Sequence, residues 1–395
     1  VHVQQQEQQD ISAAMVWLMA TATGLIVANL YYAQPLVGPI SRATGLDPGA
    51  AGLIVTLTQM GYCLGMLFIV PLGDLVENRK LIVMALAGTA CALAVAAFST
   101  SAALFLVAMF CIGLGSVAAQ IIVPFAAHLA REETRGQTVG TVVSGLLLGI
   151  MLARPVSSLV TDASNWHVIF VLSAVLTAGL ALVLHRRLPQ REPDHESTYP
   201  ALLASLWHLL KTTPILRRRA AYQFCMFGAF SLFWTTVPLI LASPAFGLSQ
   251  TGIALFALAG VAGALASPIA GRRADQGKSR STTAMALIAG VLSFAAPLLV
   301  HGGRTFELAL LVAASIVLDS AVSASLVTGQ RAIYALGADI RSRLNGLYMA
   351  IFFLGGAIGS SAGGWMYAHH GWQGVLATGL MFPAAGLLVF ATERR

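Results

Sequence analysis

Residues 71–80 read PLGDLVENRK and residues 268–278 read PIAGRRADQGK, and each closes an apolar stretch long enough to cross a bilayer. Gly73 and Glu77 in the first correspond to Gly271 and Asp275 in the second, both at an offset of 198. Other segments repeat in the same order. EETRGQTVG (132–140), GIMLARPVSS (149–158) and NWHVIF (165–170) align with ADIRSRLNG (338–346), GGAIGSSAGG (355–364) and GWQGVL (371–376). Arg135/Arg341, Gly149/Gly355 and Trp166/Trp372 then share an offset of 206. Matches at fixed offsets signal a duplicated unit, and in a membrane chain such a unit places a binding site between its halves near mid-membrane. A monolithic helical bundle with coincidental loops is the alternative.

Composition supports the membrane reading. The chain has 395 residues, 57 % of them apolar and 10 % charged, with a mean hydropathy of +0.78. Soluble domains carry about a quarter charged residues. So few charges could not cover a water-facing surface of this size without large apolar patches. A soluble enzyme, a disordered chain and a secreted disulfide scaffold are excluded. Cys63, Cys91, Cys111 and Cys225 all lie in apolar stretches with no CxxC or Cys/His pairing, so all four are expected to pack as small buried hydrophobes.

A helix needs about 20 apolar residues to span a bilayer core. Twelve stretches qualify: roughly 14–36, 50–71, 80–98, 102–128, 137–160, 166–185, 220–242, 251–271, 281–300, 307–332, 344–367 and 372–392. Their runs are continuous rather than alternating, so they predict helices and not barrel strands. The fold expected is an all-α membrane protein of twelve transmembrane helices in two six-helix halves. Residues 1–185 form the first half and 220–395 the second. Residues 186–219 form a linker in which YPALLASLWHLL predicts an amphipathic helix lying at the membrane surface.

Lys and Arg set the orientation. With the N-terminus in the cytoplasm, 20 of the 23 fall on inside loops and ends, Arg42 and Arg304 fall outside, and Arg154 lies within a span. Both termini are therefore expected in the cytoplasm, in the inner (plasma) membrane. Residues 1–10 are Gln-rich without a basic segment, so no cleavable signal peptide is expected. The net charge of +7 follows the membrane rule and does not call for nucleic acid.

The twelve spans, arranged six and six around a repeated Gly-x-x-x-acid loop followed by basic residues, resemble the major facilitator superfamily over nearly the whole chain. NLYYAQPL (29–36) and GLLLGIMLARPVSS (145–158) resemble its bacterial drug and sugar efflux permease branch. The superfamily's loop motif maps onto Gly73, Leu75, Glu77, Arg79 and Lys80, with Glu in the Asp position and Asn78 as a departure. Its second copy maps onto Gly271, Asp275, Gly277 and Lys278. Glycine permits a turn after the helix end, and cations suit its negative pole. The resemblance implies that these loops latch the cytoplasmic gate during alternating access; a plain basic anchor is the other reading.

Two charges fall well inside spans, Arg154 in the fifth and Asp319 in the tenth. Each costs roughly 2.5–3.5 kcal/mol to insert on translocon scales, so both are expected to face the interior. Ser315, Asp319, Ser323 and Gln330 share one face of a helical wheel, which predicts a cavity wall. Asp319 is the candidate for proton coupling, with a substrate-binding charge or a structural ion pair as alternatives. Arg154 is a candidate substrate-anion or cross-half contact, a charge partner of Asp319, or a donor to helix carbonyls.

The resemblance implies that spans 1, 4, 7 and 10 line the cavity, which adds Asn29, Tyr32, Gln120, Gln223 and Trp234 as substrate contacts. Any one of them alone reads equally as interhelical glue. Phe224, Phe227, Phe230 and Phe233 either stack on an apolar substrate or pack the bundle. No HExxH, Walker, GxSxG or dinucleotide motif occurs, so neither an enzyme nor a cofactor or metal site is expected. A monomeric exporter exchanging an organic solute for protons is the first functional expectation. A proton-coupled uptake symporter and a non-transporting receptor or scaffold are the others.

Overall fold

The computed structural model describes residues 11–191, 198–261, 269–270, 272–273, 276–337 and 340–393. These form α1 (Ala13–Ala28), α2 (Val37–Thr44), α3 (Leu53–Phe68), α4 (Asn78–Phe98), α5 (Ala102–Ser116), α6 (Ala118–Leu129), α7 (Arg135–Ala163) and α8 (Trp166–Arg187). After α9 (Tyr199–Thr212) come α10 (Pro214–Ala242), α11 (Gln250–Val261), α12 (Ser279–Leu299), α13 (Arg304–Tyr334) and α14 (Arg341–Ala391). Among the described residues there is no strand.

The fourth span is α5 plus α6, and α14 supplies spans eleven and twelve. It breaks at Gly371, whose φ of 61° suits a residue without Cβ. Counting these, the apolar helices among the described residues make the expected twelve, six before α9 and six after it. The first span departs from expectation: α1 stops at Ala28 and residues 29–36 turn before α2 begins. Pro35 contributes to this, because it lacks a donor and its ring clashes with a helical carbonyl four residues earlier, at Tyr31.

The helices approach each other over glycine. A Cβ on Gly24 of α1 would lie 2.7 Å from the carbonyl oxygen of Gly145 on α7, and Gly149 meets Gly24 one turn further on. Gly355 and Gly359 of α14 make the corresponding approach to Phe224 and Gly228 of α10. The repeat in sequence is thus a repeat in packing, with van der Waals contact between backbones as its cause. Gly24→Val is expected to destabilise the bundle by about 1–3 kcal/mol through overpacking. Gly88 meets nothing within 4 Å, so Gly88→Ala serves as the neutral control. The midpoint of thermal unfolding in detergent checks both.

The outer surface carries large apolar side chains such as Met84, Phe98, Val175, Met381 and Leu388, as expected where the solvent is lipid. Cys63 and Cys225 are buried, but Cys91 and Cys111 are exposed on this surface. The expectation that all four thiols are buried is corrected: apolar flanks mark a lipid-facing position as readily as a core one.

Asp162 and Thr251 lie at the end of the bundle opposite the termini, where Thr251 Oγ1 donates to Asp162 Oδ2 at 2.5 Å. On the same side Thr56 Oγ1 lies 2.8 Å from Ser360 Oγ and donates to the Ala357 carbonyl at 3.1 Å. At the terminal end α9 bridges the halves. The Tyr199 hydroxyl donates to the Phe68 carbonyl at 2.9 Å, and Arg343 Nη1 donates to Ser205 Oγ at 3.2 Å. Leu206 packs with Leu216, Ile333, Leu344 and Tyr348, while Trp207 of α9 stays 59 % exposed. That division of faces is the amphipathic pattern expected of a surface helix.

Candidate functional site

Asp319 sits at the middle of α13, with equal lengths of helix on either side. Trp234 on α10 donates its Nε1 proton to Asp319 Oδ1 at 2.8 Å. Arg154 on α7 brings Nη1 to 4.0 Å from Asp319 Oδ2. Arg154 and Asp319 are only 5 % and 9 % exposed, so low polarity strengthens their attraction well beyond that of a surface pair.

The guanidinium is positioned from three sides. Its Nε donates to Gln34 Oε1 at 3.0 Å, in the turn that follows α1. The ring centroids of Trp234, Phe230 and Tyr31 lie 4.2, 4.9 and 5.6 Å from its Cζ. Cation–π contacts of this kind are worth about 2 kcal/mol or more when desolvated. Gly260 of α11 makes room: a Cβ there would lie 2.7 Å from Trp234 Cζ2 and 2.8 Å from Asp319 Oδ2.

Arg154, Asp319, Tyr31, Phe230 and Gly260 line a cavity of about 110 Å³ between the halves, walled otherwise by apolar groups including Leu147, Met151, Val322 and Phe352, while Trp234 and Gln34 hold the pair from behind this wall. Ser323 lies on its wall. Ser315, a turn away, is buried and donates to its own helix at the Val312 carbonyl, 2.8 Å. Gln330 leaves the expected stripe and donates to Asn345 Oδ1 at 3.2 Å.

The structure separates other residues grouped by sequence. Gln223 is buried and reaches the Val322 carbonyl at 3.5 Å. Gln120 donates to the Tyr62 hydroxyl at 3.0 Å, and Gln59 donates to Ser231 Oγ at 2.8 Å across the halves. Asn29 accepts from Ser173. Tyr32 and Ser173 line a different, apolar groove of about 380 Å³ between α1, α7 and α8. Asn29 and Tyr32 therefore do not meet Asp319, because the helix whose phase would have carried them inward has already ended.

In the loop after α3, Glu77 caps α4 by accepting from the amides of Arg79 and Lys80 at 2.9 and 3.0 Å. Asn78 Nδ2 donates to the Gly73 carbonyl at 2.5 Å, and Asn78 Oδ1 accepts from Arg191 Nη1 at 2.9 Å. Arg79 Nη1 donates to the Leu188 carbonyl at 3.3 Å. The acid that looks across the halves is Asp74, within electrostatic reach of Arg191 and of Arg343 on α14. In the second copy Lys278 precedes α12, and its carbonyl accepts from Thr282 Oγ1 at 2.9 Å. Gly271 and Asp275 lie outside the described residues.

Gln34, Tyr31, Gly260 and Asp74 escaped sequence reasoning. Gln34 had a signal, as a polar residue within the apolar run NLYYAQPL; Asp74 had one too, beside Glu77 in the quoted loop.

Twelve spans in two halves, with an acid and a guanidinium shielded between them, define a multi-pass membrane transport protein. The Major Facilitator Superfamily family model matches residues 16–306 and 220–395, and the chain belongs to that superfamily of alternating-access transporters of small molecules, which are not enzymes. It is 43 % identical over 381 residues to the uncharacterized transporter YgaY of Escherichia coli O157:H7, covering 96 % of each chain. It is 33 % identical over 380 residues to a probable transporter of Streptomyces coelicolor, covering 91 % of this chain and 83 % of that one. The fold is similar to a bacterial homolog of the human lysosomal transporter Spinster, in an inward-facing and occupied conformation. That match has a TM-score of 0.75 at 12 % identity and covers 96 % of each chain.

Proposed function

We propose that this chain is a proton-coupled secondary transporter of a small organic solute, with Asp319 as the proton site and the cavity between the halves as the solute site. The observation that carries the reading is the placement of Asp319 and Arg154 together on that cavity, both buried and Asp319 at mid-helix. Ionisable groups inside a membrane are costly and are retained for ion or substrate pathways. A scaffold has little use for them.

In this reading residues 1–185 and 220–395 rock against each other, joined by the linker 186–219. The protein lies in the inner membrane as a monomer with both termini cytoplasmic, as the Lys/Arg bias supports. The contacts of Thr56 with Ser360 and of Asp162 with Thr251 belong to the outer gate, and the loop of Gly73, Glu77, Arg79 and Lys80 to the inner one. Gly271, Asp275 and Lys278 serve the inner gate in the second half. Efflux by exchange for protons is supported by the resemblance of residues 29–36 and 145–158 to drug and sugar efflux permeases. Proton symport is the second reading, and the charge arrangement around Arg154 favours it.

Proteoliposomes with an imposed pH difference, loaded with a panel of organic solutes, test the proposal. ΔpH-driven solute flux that needs Asp319 supports it, and flux indifferent to ΔpH overturns it. Reversing the gradient separates exchange from symport. The outer gate has its own test. Thr56→Cys with Ser360→Cys is expected to cross-link on mild oxidation and to arrest transport at least about tenfold, reversibly with reductant. Cross-linking that leaves flux unchanged would remove these residues from the moving gate.

A further inference from the structure

We propose that the solute taken by this cavity is a small apolar monoanion, a carboxylate on a compact aliphatic or single-ring body, held by Arg154 while Asp319 carries a proton. This deepens, and rests on, the reading of the cavity as the solute site.

The first argument is an inventory of donors. A guanidinium has five N–H groups. Nε is used by Gln34 at 3.0 Å. Among the described residues, Nη1 and Nη2 donate no hydrogen bond, and Nη1 stands 4.0 Å from Asp319 Oδ2, beyond hydrogen-bond range. Asp319 Oδ1 is engaged by Trp234. The aromatic rings around Cζ answer the positive charge but accept no fork of donors. A guanidinium that borders the cavity with terminal nitrogens free of hydrogen bonds among the described residues suits a bidentate carboxylate.

The second argument is the wall. Apart from Arg154, Asp319 and Ser323, the lining is apolar or aromatic, with Ile150, Met151, Val261, Val322 and Phe352 among it. This suits an apolar body behind the charged group. The volume of about 110 Å³ is small, which suits a compact body such as a short branched chain or one ring.

The third argument is charge. Arg154 and Asp319 balance each other, so a cationic solute would meet the guanidinium with no net attraction. An anionic solute would meet the Asp319 carboxylate beside its partner. Protonating Asp319 removes that repulsion and leaves one positive charge for one negative one. The charged and titratable groups that face Asp319 are Arg154 from α7 and Tyr31 from the turn after α1. From α10 and α11 it meets Trp234 and Gly260, which do not titrate near neutrality. Proton and anion therefore occupy the site together, one of each.

The test measures equilibrium binding to the purified full chain in lipid nanodiscs. The probes are benzoate, its neutral amide benzamide and the cation benzylamine, at about pH 5.5 and about pH 7.5, where benzoate stays ionised. Expected is saturable binding of benzoate alone, at least about tenfold tighter at the lower pH. Asp319→Asn is expected to hold the low-pH affinity at both values. Arg154→Gln is expected to lose the preference for benzoate over benzamide. That variant leaves Asp319 without its partner, so Arg154→Gln/Asp319→Asn, with no lone buried charge, is measured beside it and is expected to discriminate no better. Binding of benzylamine or benzamide equal to that of benzoate, benzoate binding unaffected by Arg154→Gln, or absence of saturable binding by any probe overturns the proposal. Failure here with ΔpH-driven flux still dependent on Asp319 removes the anion and leaves proton coupling. Benzoate binding that needs Arg154, with ΔpH-driven flux indifferent to Asp319, does the reverse.

Discussion

Asp319→Asn is expected to abolish solute accumulation driven by a pH difference while leaving binding, and exchange without a gradient, at least partly intact. A one-unit pH difference supplies about 1.4 kcal/mol per proton, which sustains at most about tenfold accumulation with one proton per solute. The variant is expected to stop at onefold. Its amide resembles the protonated acid in size and keeps an oxygen for the Trp234 Nε1 proton, now 2.8 Å from Oδ1, so the packing around Gly260 need not change. What it loses is the ability to ionise when the cavity opens to water. Proteoliposome flux with and without the gradient, wild type against variant, is the measurement. Accumulation against a gradient by Asp319→Asn under ΔpH alone would place coupling elsewhere.

The features legible in the sequence are those whose physics is local or carries a high cost. A charge inside an apolar run is expensive wherever it points, so Arg154 and Asp319 stood out without any knowledge of neighbours. The spans were legible for the same reason, and the Gly149/Gly355 match anticipated the glycine seams of α7 and α14. The turn at Asn29 was not read, because Leu30, Tyr31 and Tyr32 look as apolar as the helix before them; Pro35 carried the signal. Once α1 ends there, Gln34 reaches Arg154 and Tyr32 turns to the groove with Ser173. Gly260 was one glycine among 38, and only the closeness of Trp234 and Asp319 shows why a side chain is excluded there. Asp74 was passed over because Glu77 fits the motif better, yet Glu77 spends its carboxylate on two amides of its own helix. Sequence spacing shows which residues share a helix face; it does not show which of them meet across helices.

Arg154→Leu is expected to end transport, and Arg154→Lys to fall well short of wild type. The guanidinium acts here as a shaped cation: its Nε is fixed by Gln34 while rings lie 4.2 and 4.9 Å from Cζ. An ammonium has no fork and no plane to lay against Trp234, so the lysine variant keeps the charge and loses the orientation. Removing the charge altogether leaves Asp319 alone in a buried site, which costs about 3–5 kcal/mol if it stays ionised. The carboxyl is expected to take up a proton instead, so the leucine variant should fold with its acid neutral and its proton switch disabled. A double variant, Arg154→Leu with Asp319→Asn, separates stability from function. It is expected to recover thermal stability relative to Arg154→Leu measured near neutral pH, since an amide stays uncharged without taking up a proton on folding, and to recover no ΔpH-driven flux. Unfolding midpoints in detergent and proteoliposome flux, measured on wild type, both single variants and the double variant, form the cycle. Full transport by Arg154→Leu would show that the guanidinium is dispensable, and a double variant no more stable than Arg154→Leu would show that the two charges do not act as a pair.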